Sequence, residues 1–168
     1  ACLASVLEWF LGRSPPMDVL AGLCETTPED GTHPSALAAI AEFQGLKADV
    51  RQRMSLEDVE ACVGAGRPVI LELQAWGDPE RYPELTEGHY VAACGVDAES
   101  FYAMDPSLSE YGRIAKADLP GRWRDREADG EETERLGVVL WLEQAEKAFA
   151  PDQPRVPAGS PGGGEWAG

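Results

Sequence analysis

The sequence is poor in positive charge and in the residues that build metal sites. Its 168 residues contain two histidines and four cysteines, and no two cysteines have the C-x-x-C spacing. A zinc site is therefore not expected. Lysine and arginine together number 14 against 30 aspartates and glutamates, which gives a net charge of −16. This charge argues against nucleic acid and anionic membrane surfaces as partners.

The sequence also lacks long apolar runs. None approaches the roughly 18–20 residues that span a bilayer, and no charged segment followed by an apolar one indicates a signal peptide. The cysteine spacing favours buried free thiols in a reducing compartment, hence a cytoplasmic protein, although it leaves a disulfide open. Because the chain begins at Ala1 directly on a helical pattern, we expect further N-terminal sequence, which could carry a targeting signal.

The apolar residues suffice for one domain, since they make up 43% of the chain. Periodicity predicts helices over 1–12, 17–23, 34–46 and 55–67, and strands over 47–51, 69–73, 89–96, 100–104 and 136–142. This order predicts an α+β fold with helices on one side of an antiparallel sheet. The last segment is rich in proline and glycine, so we expect a domain over 1–143 and a disordered tail over 144–168.

His89 and Asp105 stand at opposite ends of one predicted hairpin. Antiparallel pairing brings the start of the strand over 89–96 beside the end of the strand over 100–104. A three- or five-residue turn centred on Ala98 places His89 opposite Ser107, with Asp105 as its diagonal neighbour at a Cα distance of roughly 7–8 Å. A carboxylate so placed fixes the tautomer of an imidazole and stabilises its cation. The alternative is a surface histidine beside a turn-forming Asp-Pro pair.

Several segments together resemble the C39-like peptidases, which are papain-like cysteine peptidases related to bacteriocin-processing domains. The segments are PEDGTHPSALAAIAEFQGLKADVR, GRPVILELQAWGD, EGHYVAACGVD, FYAMDPS, YGRI, LPGRWRD and LGVVLWL. Their order and spacing over residues 1–143 carry the resemblance. It implies a papain-like cysteine peptidase fold of the α+β class, with N-terminal helices packed on an antiparallel sheet. It also implies a peptide substrate, no metal and no organic cofactor.

Carried over to this chain, the resemblance makes His89 the general base and Asp105 the residue that orients it. The family's nucleophile is a cysteine in a Cys-Gly-x-Ala motif that opens the first helix, and Ala1 matches the final alanine. The nucleophile is therefore expected three residues before Ala1, with the family's oxyanion glutamine further upstream. Cys2 would lie one helical turn, about 5–6 Å, along the same face. We therefore expect Cys2 to be a buried structural thiol.

Gln74 and Trp76 begin the loop that leads to His89 and are candidates for a substrate cleft, with core or loop packing as the alternative. His33 is interpreted as a loop residue and Trp123 as a packing anchor, and the segment over 106–135 is expected to be mostly loop and short helix. Three functions stay open: a cysteine peptidase acting on a peptide or amide substrate, a non-catalytic peptide-binding module of the same fold, and a papain-like acyltransferase. The sequence indicates neither the identity of the substrate nor the oligomeric state.

Overall fold

The computed structural model describes residues 1–28, 30–75, 77–108, 111–127 and 130–143. Trp76 and the tail predicted over 144–168 lie outside the described residues, so both predictions stay open. The helices are α1 (Cys2–Leu11), α2 (Met17–Leu23), α3 (Pro34–Phe43), α4 (Leu56–Gly64) and α5 (Leu119–Arg122), with a 3₁₀ turn at Pro79–Glu84. The strands are β1 (Lys47–Arg51), β2 (Val69–Gln74), β3 (Gly88–Val96), β4 (Ser100–Met104), β5 (Gly112–Ala115), β6 (Arg124–Arg126), β7 (Glu132–Glu134) and β8 (Gly137–Trp141).

Local sequence explains where the longer helices begin and end. Helix α1 ends at Gly12, whose φ of 65° is a left-handed conformation that glycine adopts without strain. Helix α3 has Pro34 in its first turn, where the missing N–H costs no hydrogen bond. Helix α4 begins with a capping box, in which the Ser55 hydroxyl and the Asp58 carboxylate each accept the other's backbone N–H.

The strands form one antiparallel sheet of six, in the order β1-β8-β2-β3-β4-β5, and a separate pair, β6-β7. Strand β2 lies near the centre and is buried at every position. Strand β8, the last in sequence, pairs with both β1 and β2, so it links the edge strand β1 to the central strand β2. The predicted edge strand over 47–51 and the central strand over 69–73 are both found.

The main sheet carries helices on both faces, which corrects the expectation of helices on one side. Helices α1 and α3 pack in one apolar cluster that includes Ile70 of β2. Helix α4 packs in a second cluster that includes Val69 and Leu71. Because neighbouring strand residues point to opposite faces, these three residues show that the clusters cover opposite sides of β2. A central strand that is buried at every position needs cover on both faces, and α4 supplies the second.

The β3–β4 hairpin has the predicted register at one end and a different register at the other. Ala92 faces Met104, as symmetry about Ala98 requires, whereas Val96 faces Phe101. The register shifts between Ala93 and Gly95, a bulge that the sequence does not reveal. The predicted register therefore holds at the end of the hairpin where His89 lies.

The segment 106–135 contains more regular structure than the sequence predicts. Loop and one short helix are expected there, and the structure forms β5, β6 and β7 in addition to α5. Trp123, expected to be a packing anchor, is 1% exposed. Its indole N–H donates to the carbonyl of Leu136 at 2.8 Å.

No helix in the described part of the chain is long and apolar enough to cross a bilayer.

Candidate active site

The β3–β4 hairpin brings His89 and Asp105 into contact. His89 is the second residue of β3 and faces Leu73 of the neighbouring strand β2. Asp105 directly follows β4, and Pro106 comes next, which favours an extended conformation at Asp105. His89 Nε2 lies 2.8 Å from Asp105 Oδ1. The predicted proximity of these two residues is therefore confirmed.

Protein atoms enclose the Asp105 carboxylate. Its side chain is fully buried, and a buried carboxylate is costly unless hydrogen bonds satisfy it. Oδ1 accepts the backbone N–H of Ser107 at 2.8 Å and the Ser107 hydroxyl at 2.6 Å, in addition to its contact with His89. Three donor groups therefore converge on a single oxygen of Asp105.

The contact with Asp105 determines which imidazole nitrogen of His89 can act as a base. A carboxylate only accepts hydrogen bonds, so the proton in this contact belongs to His89 Nε2. The other nitrogen, Nδ1, then holds the free lone pair of the neutral ring. The side chain of His89 is 19% exposed and lies on the wall of a cleft. This arrangement can take up a proton at Nδ1 and stabilise the resulting cation through Asp105.

The cleft beside His89 has a volume of about 500 Å³. Its other walls come from Ala1 and Cys2 at the beginning of α1, from the loop over 30–32 and from residues 125–127. The N-terminal end of α1 and the His89–Asp105 pair therefore border one cavity. Backbone N–H groups at a helix N-terminus carry a partial positive charge, which favours an anion nearby.

Cys2 is buried at the edge of this cleft, as the sequence predicts. It is 6% exposed, and its thiol donates to the carbonyl of Tyr90 at 3.1 Å. Burial raises the pKa of the Cys2 thiol to about 12. A reactive cysteine needs an accessible thiolate, which this environment disfavours. All four cysteines of the chain are buried and free, so the prediction of free thiols is confirmed and no disulfide forms.

Gln74 lies beneath the cleft rather than on its surface, which agrees with the packing alternative rather than with a place in the cleft lining. Its side chain is buried, and its amide nitrogen donates to the carbonyl of Arg124 at 2.9 Å and to Asp125 Oδ1 at 3.0 Å. Its amide oxygen accepts the backbone N–H of Glu87 at 3.0 Å. The buried Arg122 side chain donates through Nε to the backbone carbonyl oxygen of Gln74 at 2.8 Å. These contacts give Gln74 a structural role, because they tie the end of β2 to β6.

Sequence reasoning missed a polar cluster at the cleft wall, formed by Glu72, Tyr90 and Thr133. Glu72 is 4% exposed, and its two carboxylate oxygens lie 2.8 Å from the Tyr90 hydroxyl and 2.5 Å from the Thr133 hydroxyl. Burial and the neighbouring Glu72 raise the pKa of Tyr90. The Tyr90 hydroxyl also lies 2.9 Å from the carbonyl of Thr32, which joins the loop over 30–32 to the sheet. Residues 72, 90 and 133 are far apart in sequence, so no local pattern indicated their contact.

Acidic side chains predominate on the cleft wall. The four acidic lining residues besides the histidine site are Asp30, Glu72, Asp125 and Glu127. Arg126 is the one arginine or lysine among the described lining residues, and it pairs with Glu132 at 2.8 Å. Burial raises the pKa of Asp125. Acidic residues therefore outnumber basic ones on the cleft wall.

A second cavity, of about 430 Å³, adjoins the first and shares Asp30, Gly31 and Glu127 with it. His33 lies on its wall, where it caps α3 by accepting the backbone N–H of Ser35 at 3.2 Å. His33 therefore belongs to a helix cap in the loop before α3, and the structure does not bring it to the His89–Asp105 pair.

Among the described residues, no group of histidine, cysteine, aspartate and glutamate side chains is arranged to hold a metal ion.

No protein-family model matches the sequence, and no curated protein matches it. Several solved structures are similar in fold. The peptidase domain of Streptococcus ComA, a bifunctional ABC transporter of a quorum-sensing pathway, is 15% identical with a TM-score of 0.58, over 85% of this chain and 89% of that one. A double-glycine motif protease from an AMS/PCAT transporter, solved in complex with the leader peptide, is 16% identical with a TM-score of 0.57. The match covers 84% of this chain and 81% of that one.

The third structure is a protein from Bacillus anthracis described as a C39-like peptidase. It is 16% identical with a TM-score of 0.57, over 86% of this chain and 90% of that one. Together with the α+β architecture, these similarities show a papain-like cysteine peptidase fold. More particularly, the fold is that of the C39 peptidase domains, as the resemblance in the sequence implies. Fold alone does not establish which reaction a chain carries out.

Proposed function

We propose that this chain is the larger part of a C39-like cysteine peptidase domain that hydrolyses a peptide or amide bond. The observation that carries the proposal is the contact of 2.8 Å between His89 Nε2 and Asp105 Oδ1, beside the beginning of α1 on one cleft. A nucleophile placed just before α1 would lie in that cleft. The relative solved with a leader peptide bound supports a peptide as the ligand.

In the proposed mechanism, a cysteine three residues before Ala1 gives its thiol proton to His89 Nδ1. The thiolate attacks the carbonyl carbon of the substrate, and backbone N–H groups at the helix N-terminus stabilise the oxyanion. The imidazolium, stabilised by Asp105, gives its proton to the leaving amine as the C–N bond breaks. Water, activated by His89, then attacks the thioester, which releases the acid and restores the thiol.

The test uses the protein extended upstream from its own coding sequence. If the residue three before Ala1 is cysteine, we expect an electrophilic cysteine-peptidase probe to label it, and we expect peptide hydrolysis. His89→Ala should abolish both, whereas His33→Ala, which removes the other histidine, should leave both unchanged. Labelling that does not depend on His89, or a different residue at that upstream position, would reject the peptidase.

One observation favours a second candidate, a non-catalytic peptide-binding module. All four cysteines of the chain are buried, so none of them offers an accessible thiol to a substrate. Without an upstream cysteine, the same cleft would hold a peptide without cleaving it. Peptide binding by the extended protein, measured by calorimetry without product formation, would support this alternative.

Acyl transfer to an amine would use the same residues as hydrolysis, and it differs only in what attacks the thioester. Product analysis with an added amine separates the two reactions. An amide of the added amine as the main product would replace the peptidase by an acyltransferase.

A further inference from the structure

We propose that Ser107 is a positioning residue for the His89–Asp105 pair. The inference rests on the proposed function, because it assigns to Ser107 the task of holding the acceptor that His89 needs. Ser107 supplies two donors to Asp105 Oδ1: its backbone N–H at 2.8 Å and its hydroxyl at 2.6 Å. His89 Nε2 lies 2.8 Å from the same oxygen.

The Ser107 hydroxyl makes a hydrogen bond that the turn itself does not require. An aspartate commonly accepts the backbone N–H two residues on, and this bond alone shapes an Asx turn. The Ser107 hydroxyl makes a second bond to the same oxygen. Ser107 is otherwise exposed, so this hydroxyl bonds to Asp105 at a position where water is also available as a partner.

Two donors from one residue fix the rotation of the carboxylate. The terminal torsion of aspartate is broad, so a carboxylate held by one bond can turn about its axis. The two bonds from Ser107 hold Oδ1 in place, and this oxygen is the one that accepts from His89. The hydroxyl thereby keeps the acceptor aligned with the imidazole N–H.

The turn after β4 explains why residue 107 is in the right place. Strand β4 ends at Met104, and the backbone N–H of Leu108 donates to the carbonyl of Asp105 at 3.1 Å, which closes a turn over Pro106 and Ser107. This turn folds Ser107 back towards the carboxylate that His89 uses. Because Ser107 is exposed, we expect its replacement to leave the core unchanged.

The kinetic test uses the upstream-extended protein with Ser107→Ala, and Ser107→Thr as the variant that keeps the hydroxyl. Misplacement of a catalytic group by a fraction of an ångström lowers the rate of the chemical step. We expect Ser107→Ala to lower kcat by about tenfold with KM changed less than about twofold, as expected for an interaction used mainly in the transition state. Ser107→Thr should restore most of kcat. Ser14→Ala, a serine outside the cleft lining, is the matched control and should match the wild type.

A spectroscopic test does not depend on activity. The ring N–H of His89 that donates to Asp105 should give a downfield proton resonance, and His33 is the only other histidine to assign. We expect Ser107→Ala to shift this resonance and speed its exchange with water, and Ser107→Thr to preserve it. Melting curves show whether each variant is folded.

An unchanged resonance with unchanged kcat in folded Ser107→Ala would overturn the proposal, and so would equal losses in the alanine and threonine variants. If the extended wild type has no activity, the proposed peptidase fails, and the resonance alone decides the role of Ser107. A resonance altered in the alanine variant and kept in the threonine variant would then support positioning of the pair in a non-catalytic module.

Discussion

At the scale of single residues, Cys2 and His89 border one cleft but differ in their exposure to solvent. Cys2 is buried with its thiol bonded to the carbonyl of Tyr90, whereas the His89 side chain is 19% exposed. Small reagents in the cleft should therefore reach the imidazole more readily than the thiol.

The Cys2 thiol should react slowly with alkylating agents in the native protein. With a pKa of about 12, only about one thiol in 10⁵ is ionised at pH 7, and burial blocks access as well. Mass spectrometry after brief iodoacetamide treatment should find Cys2 modified no faster than buried Cys62, and all four cysteines modified after unfolding. Rapid modification of Cys2 that disappears in His89→Ala would mean that Cys2 is the nucleophile instead.

The same thiol should make the folded state less stable at alkaline pH. Burial raises the pKa of Cys2 from the ordinary cysteine value of 9.0, which applies to the unfolded chain, to about 12 in the folded protein. Between these values the folded chain keeps a proton that the unfolded chain has lost. The free energy of unfolding therefore falls as pH rises through this window, by up to about 1.4 kcal/mol per pH unit from this group.

Denaturant titrations between pH 8 and about 11 measure this fall, with Cys2→Ala as the comparison. The substitution removes the group that titrates, so its curve should be flatter above about pH 9. Loss of packing displaces the whole curve without changing its slope. Parallel curves for the two proteins would show that Cys2 does not contribute to the alkaline loss of stability.

The contact between His89 and Asp105 could be predicted from the sequence, because one hairpin contains both residues. Ser107 was noted only as the position opposite His89, and the structure places it in the turn after β4. The acidic residues of the cleft wall could not be found in this way, since Asp30 and Glu127 come from loops far apart in sequence.

At the scale of elements, the sequence predicted the helices and strands that have clear periodicity or caps. Helix α4 begins at a capping box, and β2 begins with the apolar run Val69–Leu71 directly after Pro68. Strands β5, β6 and β7 have only three or four residues each and lie in a polar segment. Strands that short acquire their hydrogen-bond partners from tertiary packing, so local sequence does not predict them.

Substitution of Gly88 tests whether the close approach of β6 to β3 contributes to stability. A Cβ at Gly88 would lie 2.1 Å from Asp125 Oδ2, and Gln74 and the backbone N–H of Arg126 hold the other oxygen of Asp125. Asp125 cannot turn away without breaking these bonds. We expect Gly88→Ala to destabilise the fold by about 1–3 kcal/mol, and to lower activity because His89 is the next residue.

Gly22→Ala is the matched control for this substitution. Gly22 lies in α2, and a Cβ there would meet no atom within 4 Å. The substitution should therefore stabilise the protein by roughly 0.4–1 kcal/mol. Denaturant midpoints compare the two variants. Equal changes in stability for the two variants would mean that disturbing the close approach of Asp125 to β3 does not destabilise the fold.

At the scale of the whole molecule, the net charge of −16 and the acidic cleft act in the same direction. Summed charge of one sign attracts ligands of the opposite sign, and a concave surface concentrates the field. The sequence revealed the total charge, although its location in the cleft depends on how distant loops fold together. If the cleft binds peptides, its preference should depend on their charge.

A peptide with two lysines should bind this protein more tightly than the same peptide with two glutamates. Each partly exposed ion pair contributes roughly 0.2–1 kcal/mol, so for two pairs we expect an advantage of roughly twofold to thirtyfold at low salt. The advantage should shrink as the screening length falls from about 30 Å at 0.01 M salt to about 8 Å at 0.15 M.

Asp30→Asn removes a charge from the cleft wall, whereas Glu42→Gln removes one from α3 outside the lining. Both variants have the same net charge, so a larger loss of the lysine preference in Asp30→Asn would place the effect in the cleft. Equal losses would assign it to the overall field, and binding that does not distinguish the two peptides would contradict electrostatic selection altogether.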